Sequence, residues 1–141
     1  MTRQQVEALV VRRENAQSQH DVAGMTALYS DDVVVDSPMA GGAVCGRAAN
    51  EDVYRAWIAA FPDVTLTRIK LVIDGNCAVW IGDVRGTDTG GFMGIPATGK
   101  PFRLPMVVVY TMKDGSIVHE QRIYDFTGML IQIGVLKAKP L

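Results

Sequence analysis

Residues 103–126 read RLPMVVVYTMKDGSIVHEQRIYDF, two runs rich in β-branched and aromatic residues joined by Lys113-Asp114-Gly115. Asp-Gly between such runs is a tight-hairpin signal, so the two runs are expected to be antiparallel neighbours. Residues 64–73 and 77–91 have the same character and are separated by Asp74-Gly75-Asn76. Strands at 64–73, 77–91, 103–112 and 116–126 therefore predict a meandering antiparallel sheet. The run MVVVY at 106–110 is apolar on both of its faces. One face is expected to cover the core and the other to meet a second subunit. Glycines 82, 86, 90, 91 and 94 lie in or just after the longest run, where they would let the sheet bend and curl around a cavity. The segment 91–101, GFMGIPATGKP, has too much Gly and Pro for a ladder and is expected at the mouth of that cavity.

Upstream the period changes. Residues 3–19 carry Val6, Leu9, Val10, Arg13 and Ala16 at helical spacing. Asp21 is placed to cap a second, shorter helix bearing Val22, Met25, Leu28 and Tyr29. DDVVVDSP at 31–38 reads as a short strand ending at Pro38, and the glycines after it as a loop. RAANEDVYRAWIAA at 47–60 puts Val53, Trp57 and Phe61 in register before Pro62, a third helix with an aromatic face. The final stretch FTGMLIQIGVLKAKP sets Met129, Leu130, Ile133 and Leu136 on one side of a short helix or turn. Helices first and hairpin-linked strands afterwards predict a segregated α+β fold, the curved antiparallel sheet packed against N-terminal helices around an apolar pocket.

A chain of 141 residues fits a single domain, 1–141. Its 14 Lys+Arg against 15 Asp+Glu are scattered, which argues against nucleic acid or an anionic membrane and in favour of a hydrophobic small-molecule partner. Nothing approaches the roughly 20 apolar residues of a membrane span, and the N-terminus has no apolar leader segment. Cys45 and Cys77 have neither metal-ligand nor disulfide-framework spacing and read as free thiols suited to a reducing cytoplasm.

Asp125 sits among Ile123, Tyr124 and Phe126, where shielding from water would raise a carboxyl into the range useful for proton transfer. The competing reading is a cap on the turn into the last segment. Strand alternation puts His119, Gln121, Ile123 and Asp125 on one face and Glu120, Arg122 and Tyr124 on the other. With Asp125 inward, Gln121 is a second catalytic candidate that could steady a substrate carbonyl, and Arg122 belongs to a surface or interface ion pair. Asp36 and Asp88 are further carboxylates that could converge on the cavity. Trp57 and Met93 are candidate lining residues, and His119 a candidate substrate contact. Asp83 and Arg85 share a strand face and could pair.

GTDTGGFMGIPATGKPF (86–102), KDGSIVHEQRIYDFTGMLIQIG (113–134) and the earlier HDVAGMTALYSDDVVVDSP (20–38) together resemble the SnoaL-like polyketide cyclases of the NTF2-like superfamily. The resemblance implies a homodimer of cone-shaped subunits with no metal and no organic cofactor. It also implies a general acid/base aspartate just before Phe and a Gly-x-Leu turn, matched here by Asp125 in YDFTGML, serving an intramolecular aldol cyclisation. Epoxide hydrolysis or isomerisation on the same fold, and a non-catalytic binding or dimerisation module, are the alternatives.

Overall fold

The computed structural model describes residues 1–139; Pro140, at the end of the segment read as a helix or turn, and Leu141 lie outside the described residues. The chain runs α1 (Arg3–Ser18), α2 (Val22–Thr26), β1 (Tyr29–Ser37), a 3-10 turn (Pro38–Ala40), β2 (Gly42–Cys45), α3 (Arg47–Ala60), β3 (Thr65–Asp74), β4 (Cys77–Thr87), β5 (Pro101–Lys113), β6 (Ser116–Tyr124) and α4 (Phe126–Gln132). The six strands form one sheet in the order β2-β1-β6-β5-β4-β3. Its pairs are antiparallel except β1 with β6, a parallel pair whose members are joined by a long connection rather than a hairpin. The glycine stretch after β1 contributes β2, paired Val34↔Cys45 through Ser37↔Gly42, where the sequence suggested only a loop. No helix among the described residues is long and apolar enough to cross a membrane.

Side chains satisfy free N–H groups at the starts of α1, α2 and α4, while α3 starts at Gly46 without a side-chain cap. Thr2 and Gln5 form a reciprocal capping box at α1. The Asp21 carboxylate accepts from the Gly24 N–H at 2.9 Å at α2. Asn50, buried near the start of α3, donates its amide to the carbonyls of Val44 and Gly46 and so ties α3 to β2. This anchors the face of α3 that carries Tyr54 and Trp57.

The sheet bends where its ladders lose register. One shift falls between Arg68 and Lys70 on β3, opposite Gly82 of β4. A Cβ at Gly82 would lie 2.3 Å from the Thr67 carbonyl oxygen and 2.4 Å from the Trp80 ring. The missing side chain thus lets β3 close in and the indole lie across β4. Inside the curve sit Phe61, Phe92 and Phe102, with Phe61–Phe102 centroids 4.9 Å apart and Phe61–Phe92 5.1 Å apart, in tilted geometries favoured by the ring quadrupoles.

Because the obstacle at Gly82 is backbone on one side and a packed indole on the other, Gly82→Ala is expected to lower stability by about 1–3 kcal/mol. Urea unfolding measures this; an unchanged midpoint would show that β3 can retreat without loss.

Candidate active site

The concave side of the sheet and α1 and α3 enclose a cavity of about 80 Å³. One part of its wall is apolar: Trp57, Ile58, Val64, Leu66, Val84, Met106 and Val108. The other is polar and comes from three elements: Arg13 and Gln17 of α1, Tyr54 of α3, Glu120 and Arg122 of β6. Arg13 is 5 % exposed and Glu120 0 %. A carboxylate so placed must be compensated or it would take up a proton.

The compensation is visible. The Arg122 Nε donates to Glu120 Oε2 at 2.7 Å, with its Nη2 also paired to that oxygen at 2.5 Å. The Tyr29 hydroxyl donates to Oε1 at 2.9 Å and the Tyr54 hydroxyl lies 3.3 Å from Oε2. Tyr54 is the hub: its oxygen accepts from Arg13 Nη2 at 2.6 Å and from Arg122 Nη2, and it is hydrogen-bonded to Tyr29. Both guanidiniums also lie over the Tyr54 ring, 5.0 Å and 4.8 Å from its centroid.

Burial pushes the Glu120 carboxyl up, but the charges of Arg122 and Arg13 and the hydrogen bonds from Arg122 and Tyr29 outweigh it, so its pKa lies below the ordinary value. Burial pushes the phenols of Tyr29 and Tyr110 up, and the Glu120 charge pushes them further. At neutral pH the cluster therefore holds an ionised carboxylate and these two tyrosines as neutral phenols.

Two donors in the wall are left over. The Arg13 Nε and the Trp57 Nε1 are buried with no hydrogen-bond partner; the nearest Glu120 oxygen is 3.9 Å from Arg13 Nε, beyond hydrogen-bond range. Arg13 directs its other nitrogens to Gln17 Oε1 at 2.8 Å, to Met25 Sδ and to Tyr54.

Of the residues marked by sequence, only Trp57 lines the cavity. Asp125 is exposed and caps α4, its Oδ1 accepting from the Gly128 N–H at 2.8 Å, so the capping reading describes its position. Gln121 is likewise exposed on the outer face. The alternation on β6 is as expected, but its direction is reversed: Glu120, Arg122 and Tyr124 face inward. The cause is a register shift opposite Thr111 and Met112, pairing Met112 with Ile117 and Thr111 with His119. Ile117 and Glu120, three residues apart, are thereby both fully buried, which an unbroken alternation forbids.

Asp36 and His119 are brought together, Oδ2 to Nε2 at 2.7 Å, across the parallel β1/β6 pair and outside the cavity wall. Asp88 is buried but turned to its own loop, accepting from the N–H groups of Gly91 and Thr98 and from the Thr98 hydroxyl. Met93 is 61 % exposed at a turn with φ 53°, and no residue of 91–101 enters the wall. Asp83 pairs with Arg103 at 2.9 Å across β4/β5, not with Arg85. The missed residues had one sequence signal, Arg13 on the otherwise apolar stripe of α1.

Against known proteins, the chain matches the SnoaL-like domain model over residues 10–120. It belongs to the SnoaL-like domain family. Among solved structures it resembles AclR from Streptomyces galilaeus, at TM-score 0.85 and 23 % identity, covering 99 % of this chain and 87 % of that one. It also resembles IdmH from Streptomyces antibioticus, provisionally assigned as a polyketide cyclase, at TM-score 0.77 and 29 % identity, covering 92 % and 98 %. A structure from Xanthomonas campestris pv. campestris with the same provisional assignment superposes at TM-score 0.86 and 24 % identity, covering 94 % and 98 %. No curated protein sequence matches the chain significantly. The NTF2-like fold expected from the sequence is the fold found.

Glu120→Gln leaves two buried guanidiniums facing a neutral amide and is expected to cost about 3–5 kcal/mol. Because the folded pKa of Glu120 is depressed, its contribution is whole above the ordinary glutamate value of 4.5 and is lost as pH falls through the lower folded value. Urea midpoints across the acid range should therefore fall less steeply below pH 4.5 in the variant. Parallel acid limbs in the two proteins would remove Glu120 as the origin.

Proposed function

We propose that the protein is a cofactor-independent enzyme of the polyketide-cyclase type, closing a ring in a hydrophobic carbonyl compound by intramolecular aldol addition within the Trp57 cavity. The observation that carries this reading is the Tyr54 hydroxyl, held in a largely apolar cavity by Arg13 and Arg122 and linked to Tyr29 and Glu120. A non-catalytic module would be served by an apolar wall alone, whereas a buried network of two arginines, a glutamate and two tyrosines carries a desolvation cost that such a wall avoids.

The apolar half packs the substrate's hydrocarbon surface, and the Trp57 and Arg13 donors take the enolate oxygen. The substrate enters as its enolate, its α-proton already lost to solvent water; the enolate carbon attacks the internal carbonyl carbon, and the new C–C bond forms as the carbonyl π pair moves onto its oxygen. Tyr54 delivers its proton to that oxygen, leaving negative charge between the two guanidiniums until water returns a proton. Glu120 acts as the positioning residue, since its lone pairs are occupied by Arg122, Tyr29 and Tyr54. Asp125, the acid/base group implied by family resemblance, would instead have to act on a substrate reaching around to α4. Epoxide opening on the same fold would draw on the same proton donor.

Turnover of acidic 1,3-dicarbonyl compounds that carry a further internal carbonyl separates these roles. Tyr54→Phe is expected to lower kcat about 10²- to 10⁴-fold, the usual contribution of a positioned acid. Asp125→Asn, which keeps a good N-cap, should leave turnover and melting temperature nearly unchanged. The opposite pattern would return the proton transfer to Asp125.

The open face of the sheet supports a homodimer in the same reading. Ile81, Val107 and Ile123 are cross-strand neighbours there, as are Val79 and Val109, and Ile123 is 52 % exposed. Such a patch is where a second copy would gain most from burial. Sedimentation should find a dimer that Ile123→Lys converts to monomer; a monomeric wild type at micromolar concentration would rule the dimer out.

A further inference from the structure

The cavity wall carries more positive than negative charge, and the excess is buried. From α1 come Arg13 and Glu14, from β6 Glu120 and Arg122; the remaining polar groups of the wall are uncharged. Glu14 has its own cation, Arg68, at 3.1 Å, and accepts from the Trp80 indole N–H at 2.9 Å. That leaves Glu120 shared between two guanidiniums whose side chains are 7 % and 10 % exposed. One positive charge is thus without a carboxylate, in a place where an uncompensated ion is expensive.

The same cavity wall holds the unpartnered donors, Arg13 Nε and Trp57 Nε1. Both side-chain groups left buried and unsatisfied in the cavity wall are donors, and both oxygens of the buried Glu120 are already engaged by Arg122, Tyr29 and Tyr54. A neutral ketone would leave the surplus charge unmatched, whereas a ligand that arrives ionised meets a matching charge and two waiting N–H groups.

We propose that the cavity is an organic-anion site: its ligand is a flat, largely apolar molecule carrying an ionised oxygen, such as the enolate of an acidic 1,3-dicarbonyl, a phenolate or a carboxylate. That oxygen is bound by Arg13 and Trp57, and the hydrocarbon part lies against Met106, Val84 and Val108. This deepens the cyclase reading, for a substrate already ionised needs only Tyr54 to receive its proton, but the anion site stands without turnover.

The probes are benzoate and benzamide, which share size, ring and carbonyl and differ in charge. Calorimetric titration of the full-length protein near neutral pH should show benzoate binding at least about tenfold tighter, the preference expected when a partly buried cation meets its counter-ion. Arg13→Met leaves Glu120 with Arg122 and removes the surplus, so the ratio should fall to about one while benzamide affinity changes little. Trp57→Phe keeps the ring and should weaken benzoate several-fold; it also serves if Arg13→Met does not fold. Equal affinities in the wild type, tighter benzamide, binding of neither probe, or a preference that survives in a folded Arg13→Met protein overturns the proposal. A protein that prefers benzoate but cyclises no ketone keeps the anion site and loses the cyclase function. Turnover of neutral ketones without anion preference does the reverse.

Discussion

Glu120 has no access to solvent, and a carboxylate in that position stays ionised only if the groups around it are fixed. Those groups come from distant parts of the chain: Arg13 from α1, Tyr29 from the start of β1, Tyr54 from the middle of α3, and Arg122 from β6 itself. None can move without exposing a buried charge or leaving a donor unmatched. The orientation of both long helices on the sheet is therefore tied to one oxygen pair. The apolar contacts of the core have no such directionality, since dispersion and burial reward closeness without fixing the angle at which two groups meet. Hydrophobic burial makes the domain compact; the network determines which faces of α1 and α3 meet the cavity.

The network also explains why the cavity persists. A wall made only of Val, Met and Trp side chains could collapse by rotamer changes. Here Tyr54 is held by two guanidiniums stacked on its ring and bonded to its oxygen, and Trp80, opposite, is fixed through its indole N–H to Glu14. Glu14 is itself paired to Arg68, beside the ladder shift that bends β3 over Gly82. Sheet curvature, indole position and polar wall are consequently coupled, and a change at Gly82 would be felt at the ligand site.

Much of the architecture was legible because it depends on local signals. Asp-Gly turns, the Pro62 stop and the 3.6-residue spacing of Trp57 and Phe61 are short-range features, and they placed α3 and the two hairpins closely. β2 was hidden because Gly42–Cys45 has little strand character of its own and is a strand by virtue of pairing with β1. The site was mostly illegible for a more specific reason. Ile123 looked like an inward residue and Arg122 like an outward one, and hydrophobicity supports that choice at each position taken alone. A single ladder irregularity near Val118 sets the parity of everything after it, and parity is a property of the β5/β6 pair that β6 does not encode by itself. Asp125 then inherited the wrong side of the sheet.

The inward turn of Glu120 and Arg122 reverses the expected division of labour between the two faces of β6. Asp125, solvated and capping α4, lies outside the cavity wall, whereas the sheltered Glu120 carboxylate is fully occupied by its partners. A site so arranged is poorly equipped to abstract a proton but well equipped to stabilise negative charge that the ligand already bears or develops. Its donors are fixed before the ligand arrives, so they need no reorganisation when charge builds up, and this is the form of electrostatic help that contributes most to catalysis. Selectivity on this scaffold would then follow from the acidity of the ligand as much as from its shape, because the apolar half of the wall accepts many flat hydrocarbons while the Arg13 corner accepts only an oxygen that can carry charge.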